Sequence, residues 1–457
     1  MSKSKFQAFD DIIKEMICVY QHDERPWLIG YSGGKDSTML VSLVFQAVAK
    51  IPEGLRNKKV YIITSDTMAE NPIVKDYMHE SSQKIQEASE QQNLNIEARI
   101  IYPEPGQTFW SRVIGLGYPT PEPPGFRWCT ERLKINPMNK FVDDCIKTNG
   151  EIIILLGVRK AESIARSRSI SKKKIEGYLL NPHNNINNAY VYNPLTDIEN
   201  GIVWEYLLRG DSLSPWGTNM KQLYSLYQGE NLSEEQSVLG EVDEKKLPVT
   251  GNSRFGCWCC TIVKEDKSLQ SFINKNTNGS DKLIRLRDFR NWLVGIRQNP
   301  EFRDTKRRNG TVYTRGNGEV GFGPFTLDAR RKILKKLLEL QHETELELIT
   351  TQELKSIDEM WDNDGDLERR HLVDIYFEVM GKHLPWDQYK TPMFHNEIVE
   401  EIRQIANQHN IEPELMEKLI VSVDKNKHFT RSNAIKKEVT KIINQEWLHQ
   451  DILPEEM

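Results

Sequence analysis

Four mostly apolar segments that alternate with helix signals constrain the fold of this chain more than any other feature. WLIGY, VYIITS, IEARIIY and EIIILLG occupy residues 27–31, 60–65, 96–102 and 151–157. Apolar residues at helical spacing follow the first segment at residues 37–50, and Asn71 before Pro72 predicts a capped helix start after the second. Strands of this mostly apolar kind that alternate with helices indicate a parallel sheet covered on both faces. We therefore expect an α/β fold built on a parallel sheet.

The rest of the chain predicts loops and a helical end. Residues 102–125 and 181–200 are rich in Pro, Gly or Asn and are expected to form loops. After residue 325, three-to-four spacing of apolar residues predicts a helical C-terminal region. A chain of 457 residues has room for two or three domains, and we predict three, at residues 1–210, 211–340 and 341–457.

Charge is distributed unevenly along the chain. The net charge of −5 argues against a general nucleic-acid-binding protein. Residues 281–336, however, hold 15 Lys and Arg against 6 Asp and Glu, and aromatic residues are interleaved with them. This basic stretch predicts one anion-binding surface, for which a solvated helix followed by a loop is the structural alternative.

The sequence shows neither a membrane span nor a secretion signal. It contains no run of about 18 apolar residues, the length that a membrane helix requires. The first residues are polar and then amphipathic, without the apolar core of a signal peptide. We expect a cytoplasmic protein without membrane contact.

Residues 32–37, Ser-Gly-Gly-Lys-Asp-Ser, join the first apolar segment to the helical pattern after it. Two glycines let successive backbone N–H groups turn toward a phosphate, and the following helix adds its positive N-terminal end. Ser32 and Ser37 supply hydroxyl groups, and Lys35 supplies a positive charge. The spacing matches neither Gly-x-x-x-x-Gly-Lys-Ser/Thr nor Gly-x-Gly-x-x-Gly. We predict a phosphate-binding loop, with a tight two-glycine turn as the structural alternative.

The cysteines form the second candidate site. RFGCWCCTIV places Cys257, Cys259 and Cys260 within four residues, and Cys129 follows the Pro-rich region. Disulfides are disfavoured in a reducing cytosol, and the second Cys-x-x-Cys or paired His of a zinc ribbon is missing at normal spacing. Thiolates without histidine partners favour an iron–sulfur cluster on Cys129, Cys257 and Cys260. The fourth ligand is Cys259, Cys145 or a group that does not come from the protein. Because adjacent cysteines do not readily bind the same iron, Cys259 has two other possible roles, which are packing in the core and redox chemistry.

Two motifs resemble those of a known superfamily. SGGKDS resembles the PP-loop of the ATP pyrophosphatases, and LLGVRKAESIARS resembles the Gly-x-Arg-x-x-Glu-Ser-x-x-Arg pattern of phosphoadenylylsulfate (PAPS) reductase relatives. The resemblance implies a nucleotide across the carboxyl ends of the first strands, with Asp66 and Glu70 at its edge. A loop carboxylate or a helix cap is the alternative role for each of these two residues. At the rim of the same pocket, the resemblance places Gly157, Arg159, Glu162 and Arg166, for which a basic helix start without a ligand is the structural alternative.

Together with RWCTERLKINP, RFGCWCCTIV and GPFTLDARRKIL, these motifs are similar to the DndC family, the PAPS-reductase-like sulfurtransferases of bacterial DNA phosphorothioation. The resemblance runs from about residue 10 to residue 338. It implies a PP-loop domain, cleavage of ATP to AMP and pyrophosphate with Mg²⁺, and a 4Fe-4S cluster. It also implies that Lys35, Asp36 and Ser37 are catalytic. The implied nucleotide-binding residues are Ser32, Gly33, Gly34, Lys35, Asp36, Ser37, Asp66, Gly157 and Arg159, and the implied cluster ligands are Cys129, Cys257, Cys260 and Cys259.

The implied partners are DNA, a cysteine desulfurase as sulfur donor, and other phosphorothioation proteins of the DndD and DndE types. One departure from the family pattern is visible, because Cys259 stands where a residue other than cysteine is expected. Three alternatives remain open. These alternatives are a tRNA thiolase with a PP-loop and a cluster, a PAPS reductase, and a non-catalytic DNA-binding subunit. The lack of a cysteine after Cys260 counts against the reductase, and the intact loop counts against the non-catalytic subunit.

Overall fold

The computed structural model describes residues 2–122, 127–162, 178–227, 256–274, 279–308, 310–314, 318–426 and 432–444. The chain forms two compact units that interleave along the sequence. The sheet unit comprises Met1–Pro103, Thr130–Trp258 and Glu265–Ser280, and the helical unit comprises Glu104–Cys129, Cys259–Lys264 and Asp281–Met457. The three predicted domain ranges stay a prediction.

A six-stranded, mainly parallel sheet forms the centre of the sheet unit. Its strands are β1 (Trp27–Gly30), β2 (Val60–Ser65), β3 (Ile96–Ile101), β4 (Ile152–Leu155), β5 (Leu180–Pro182) and β6 (Ala189–Tyr192). They are ordered β3-β2-β1-β4-β6-β5, and β5 alone runs antiparallel, against β6. Trp27 of β1 pairs with Val60 on one side and Ile153 on the other. The predicted α/β fold and parallel sheet are confirmed.

Helices of the sheet unit cover the sheet and bury its apolar strands. They are α1 (Ser2–His22), α2 (Lys35–Lys50), α3 (Pro72–Gln91), α4 (Asn136–Asn149), α5 (Asn200–Leu207), α6 (Met220–Tyr227) and α7 (Lys267–Asn274). The expected cap of α3 is present, because Asn71 accepts the N–H of Ile73 at 3.0 Å. One core cluster joins α1 and α2 to β1 and β2, with Trp27, Ile29 and Ile62 fully buried.

The helical unit confirms the predicted helical C-terminal region. Its helices are α8 (Ser280–Ile296, whose first residue belongs to the sheet unit), α9 (Leu327–Thr344), α10 (Thr351–Asn363), α11 (His371–Met380), α12 (Asn396–Gln408), α13 (Pro413–Asn426) and α14 (Ser432–Ile443). Leu334, Leu337 and Trp361 are among its fully buried residues. Within the described ranges, no helix of either unit is long and apolar enough to cross a membrane.

Two of the expected loops contain regular structure. Residues 181–200 include most of the β5–β6 pair, in which β6 extends the parallel sheet beside β4. Residues 102–125 include helical turns at Pro105–Gln107 and Ser111–Gly115. The expectation of a loop at residues 102–125 was wrong because this segment carries apolar side chains that are buried, among them Phe109 and Trp110. The indole N–H of Trp361 also donates to the carbonyl of Ile114 at 2.8 Å, which fixes the segment on α10.

Candidate functional site

The predicted phosphate-binding loop lies between β1 and α2, at the point where the strand order reverses. Strands β2 and β4 flank β1 on opposite sides, so the loops after β1 and β4 meet at one edge of the sheet. In open parallel sheets, ligands bind at such a switch point. Helix α2 begins at Lys35, two residues earlier than the helical spacing predicts, and it has 16 residues. Its N-terminus therefore opens directly onto the loop.

Hydrogen bonds between the two serines close the loop. Ser32 donates its backbone N–H to the Ser37 hydroxyl at 3.3 Å, and the two hydroxyl oxygens are 3.2 Å apart. Ser37 in turn donates to the carbonyl oxygen of Gly34 at 2.9 Å. Gly33 has a φ of +67°, a left-handed conformation that glycine adopts without steric cost. The glycines and serines thus build the turned backbone that the motif predicts.

Three charged side chains lie under the loop. The Asp36 carboxylate accepts hydrogen bonds from Lys35 Nζ at 3.0 Å and from Arg159 Nε at 2.7 Å. Lys35 and Arg159 are almost completely buried. Burial lowers the pKa of Lys35, and the neighbouring Asp36 opposes that shift. Two cations and one anion leave a net positive charge beside the helix N-terminus, which favours an anionic ligand.

The positive charge expected of Lys35 lies beneath the loop. Its ammonium group points to the adjacent carboxylate and is shielded from solvent. Arg159 reaches the same carboxylate from the loop after β4, and its Nη1 donates to the carbonyl oxygen of Ile198 at 3.3 Å. The structure therefore brings Lys35, Asp36 and Arg159 together as one network.

Gly157 allows the loop after β4 to approach the phosphate-binding loop. A Cβ at this position would lie 3.1 Å from the backbone oxygen of Asp36, tighter than ordinary van der Waals contact. The glycine of the rim motif thus has a steric role. The side chain of Glu162 is not described, and Arg166 lies outside the described residues.

Asp66 holds the turn after β2. Its carboxylate accepts the N–H of Met68 at 2.7 Å and lies 2.8 Å from Nε2 of His79 on α3. Met68 has a positive φ of 62°, so the carboxylate stabilises a turn that a non-glycine residue seldom adopts. The contacts of Asp66 are those of the structural alternative, and its role at the nucleotide edge stays a prediction.

The turn after β2 also contacts the first cysteine of the cysteine motif. Glu70 and Cys257 form an isolated antiparallel bridge, and Trp258 donates its N–H to the carbonyl of Ala69 at 3.0 Å. The Thr67 hydroxyl oxygen is 3.6 Å from the sulfur of Cys257, and it donates to Glu70 at 3.1 Å. Within the sheet unit, Cys257 is therefore anchored to the carboxyl end of β2.

The other predicted thiol ligands belong to the helical unit. Cys259 is fully buried, and Cys129 and Cys260 are partly exposed. None of the six cysteines, all of which are described, is in a disulfide. Among the described residues, no three His, Cys, Asp or Glu side chains form a group that could hold a metal ion. Cys145, the alternative fourth ligand, is buried beside β4, where burial raises its pKa.

Three residues at the site have no signal in the sequence. His79 contacts Asp66 from α3, Thr67 links Glu70 to Cys257, and the Tyr227 hydroxyl accepts the backbone N–H of Lys35 at 3.2 Å. Tyr227 lies 192 positions from Lys35, so no local motif could reveal the contact.

Comparison with known families identifies the domain. Residues 26–263, more than half of the chain, match the phosphoadenosine phosphosulfate reductase domain family. The chain belongs to this family. The match covers the strands and loops of the candidate site, so the phosphate-binding loop is the PP-loop of a PAPS reductase-like domain.

Individual relatives are distant. An uncharacterized protein of Methanocaldococcus jannaschii is 26% identical over 195 residues, which are 42% of this chain and 33% of that protein. The chain thus spans a third of the length of that relative. A PAPS reductase of Candida auris, in a phosphate complex, is 13% identical and covers 50% of this chain and 96% of its own, with a TM-score of 0.29. The U34-tRNA thiolase of Methanococcus maripaludis with its 4Fe-4S cluster is 13% identical. The match covers 63% of this chain and 80% of the thiolase chain, with a TM-score of 0.26.

The glycine at position 33 offers a direct test of the PP-loop. Gly33→Ala would place a Cβ 2.9 Å from Cγ of Met78 in a left-handed conformation, so the loop has to shift. We expect the affinity for a non-hydrolysable ATP analogue to fall about tenfold or more, and the free energy of unfolding by about 1 kcal/mol. Isothermal titration calorimetry and urea unfolding measure the two effects.

Gly30→Ala is the matched control, because a Cβ there meets no atom within 4 Å. It should leave nucleotide affinity unchanged. Equal affinities of wild type and Gly33→Ala would contradict the assignment of the loop.

Proposed function

We propose that the protein is an ATP-dependent sulfurtransferase that replaces a non-bridging oxygen of a DNA backbone phosphate by sulfur. The observation that carries this proposal is the PP-loop with its buried Lys35, Asp36 and Arg159 network at the switch point of the sheet. Such a site suits an anionic nucleotide. The proposal of DNA as the acceptor and of sulfur as the transferred atom comes from the motifs that resemble the DndC family. The proposed partners are a cysteine desulfurase and proteins of the DndD and DndE types.

The first step activates the acceptor. A phosphate oxygen of DNA attacks the α-phosphorus of ATP, the bond to the β-phosphate breaks, and pyrophosphate leaves. The α2 N-terminus, the Ser32 and Ser37 hydroxyls and the net positive charge of the buried network stabilise the departing pyrophosphate. Mg²⁺ is part of the proposal and, when bound with ATP, would neutralise phosphate charge.

The second step introduces sulfur. Sulfide attacks the activated phosphorus, a P–S bond forms as the P–O bond to AMP breaks, and AMP leaves with the former phosphate oxygen, so this step needs no net oxidation or reduction. Sulfur that the desulfurase delivers as a persulfide is first released as sulfide by a second thiol, which is oxidised to a disulfide. Cys257 stands near the carboxyl end of β2, the edge at which the nucleotide is proposed to lie. This placement supports a sulfur source close to the activated phosphate.

Thiolate chemistry supports a 4Fe-4S cluster as the proposed cofactor. The proposed ligands are the soft donors Cys129, Cys257 and Cys260, with Cys259 as the alternative fourth ligand. This ligand set rests on the sequence motif, because the described side chains do not form a group of three that could hold a metal ion. The absence of disulfides fits this role, because only reduced thiols bind iron. A bound cluster would supply iron that can carry sulfide.

Part of the basic stretch supports a nucleic-acid surface. Exposed Lys332 and Lys336 lie one turn apart on α9, over the rings of Phe302 at 5.4 Å and Trp292 at 5.2 Å. Exposed Arg307 lies 3.9 Å from the ring of Tyr313. In nucleic-acid-binding proteins, cations contact backbone phosphates and aromatic rings stack on bases, so cations beside aromatic rings suit a nucleic acid.

Other arginines of the stretch have structural roles. Arg290, Arg303 and Arg330 are buried, and each donates to backbone carbonyl oxygens. They are therefore excluded from the proposed DNA surface.

Pyrophosphate release tests the catalytic proposal. Wild-type protein with ATP, DNA and sulfide should release AMP and pyrophosphate. Asp36→Ala should lower the rate about 100-fold or more, because it leaves two buried cations without their carboxylate. Asp76→Ala, an exposed aspartate of α3, is the control. Release of ADP and phosphate, or an unchanged rate in Asp36→Ala, would refute the proposal.

The nucleic-acid surface is tested by removing two charges. Lys332→Ala with Lys336→Ala should weaken DNA binding about tenfold and reduce the salt slope by about 2. The control removes the same charge from α3 through Lys75→Ala with Lys84→Ala. Fluorescence anisotropy against duplex DNA and tRNA measures both. Stronger tRNA binding together with sulfur transfer to tRNA alone would favour the thiolase instead.

Metal analysis tests the ligand set. After anaerobic purification, wild-type protein should contain iron and sulfide in the ratio of a 4Fe-4S cluster, and Cys129→Ser, Cys257→Ser and Cys260→Ser should lose them. Cys18→Ser, at an exposed site on α1, is the control. Loss in Cys259→Ser but not in Cys129→Ser would overturn the assignment.

A further inference from the structure

Tyr227, at the end of α6, reaches the PP-loop. Its hydroxyl accepts the backbone N–H of Lys35, the first residue of α2, at 3.2 Å. The N–H groups of the first helical turn lack partners within the helix. They are also the groups that bind phosphate at a helix N-terminus. The tyrosine thus takes a donor that the proposed pyrophosphate would use.

The second glycine of the loop makes room for this contact. A Cβ on Gly34 would lie 3.1 Å from the Tyr227 hydroxyl oxygen and 3.3 Å from the Ser32 hydroxyl oxygen. Gly34 has φ −81° and ψ 161°, which other residues adopt readily. Glycine is therefore suited to this position because it has no side chain that would contact the Tyr227 hydroxyl.

Aromatic packing holds Tyr227 in place. The ring of Trp204 on α5 meets it edge-on, with centroids 5.1 Å apart. Tyr224, one turn earlier on α6, contacts the same indole at 5.1 Å. Burial raises the pKa of Tyr227 to about 12, so the hydroxyl stays neutral at physiological pH. A neutral oxygen is a weaker acceptor than a phosphate oxygen.

We propose that the Tyr227 hydroxyl stands in for a phosphate oxygen at the N-terminus of α2 and that pyrophosphate displaces it on binding. Two oxygens cannot both lie within hydrogen-bond distance of one N–H along the same direction, so the phosphate and the tyrosine exclude each other. The end of α6 and its contact with Trp204 then change with occupancy of the loop. The inference rests on the proposed function in one respect, since it takes the loop as the pyrophosphate site.

Calorimetry with inorganic pyrophosphate tests the displacement. Tyr227→Phe keeps the ring but removes the competing oxygen, so pyrophosphate should bind about two- to tenfold more tightly, the factor that one net hydrogen bond represents. Tyr224→Phe is the matched control, because it removes the hydroxyl of the other tyrosine that contacts Trp204. The pyrophosphate affinity of this variant should equal that of wild type. Weaker binding by Tyr227→Phe would overturn the proposal and make Tyr227 a phosphate ligand, and equal binding would also overturn it.

Tryptophan fluorescence gives a second readout. Pyrophosphate should change the emission of wild type and of Tyr224→Phe, and Trp204→Phe should lose most of that change. An unchanged signal in Trp204→Phe would contradict the movement of Tyr227. If wild type does not bind pyrophosphate, the proposed function fails as well, whereas binding without a gain in Tyr227→Phe refutes the displacement alone.

Discussion

The carboxylate of Asp36 is the group on which the nucleotide end of the sheet unit depends. It is bonded to Lys35 beside it and to Arg159 from the loop after β4, so it ties together the two loops at the switch point. Buried charges are costly unless they are paired, and removal of one partner exposes the others to that cost. The network retains one excess positive charge, which an anionic ligand can neutralise. The same contact therefore shapes the edge of the sheet and gives it a preference for anions.

Features that depend on adjacent residues could be predicted from the sequence. Strands β1, β2 and β4 are mostly apolar, β3 is rich in isoleucine, and Ser32 to Ser37 form one short motif, so these features are visible locally. Strands β5 and β6 were missed because they are short and lie in a segment rich in Asn. The helical turn at Ser111–Gly115 was missed because Pro and Gly around it outweighed its buried apolar residues. Tyr227 and His79 enter the site through tertiary contacts, for which single-sequence patterns hold no information.

The basic stretch shows why composition alone overstates an interface. Its charge predicts an anion-binding surface, yet several arginines are used inside the helical unit to satisfy backbone carbonyl oxygens. Arginine suits this role because its planar group offers five donors. Sequence counts cannot separate an arginine that meets solvent from one that replaces a missing backbone partner. The exposed cations over aromatic rings, Lys332, Lys336 and Arg307, are the part of the stretch that the proposed surface uses.

Arg290 sets the backbone of the cysteine segment through main-chain atoms. Its guanidinium binds the carbonyl oxygens of Cys260 at 2.8 Å and Lys264 at 3.0 Å, and also that of Val263. A guanidinium group can bond several carbonyl oxygens at once because it has five donors. These bonds use backbone atoms and do not depend on which side chain stands at position 260. The position of the backbone and the chemistry of the thiol are therefore set by different groups at this point of the chain.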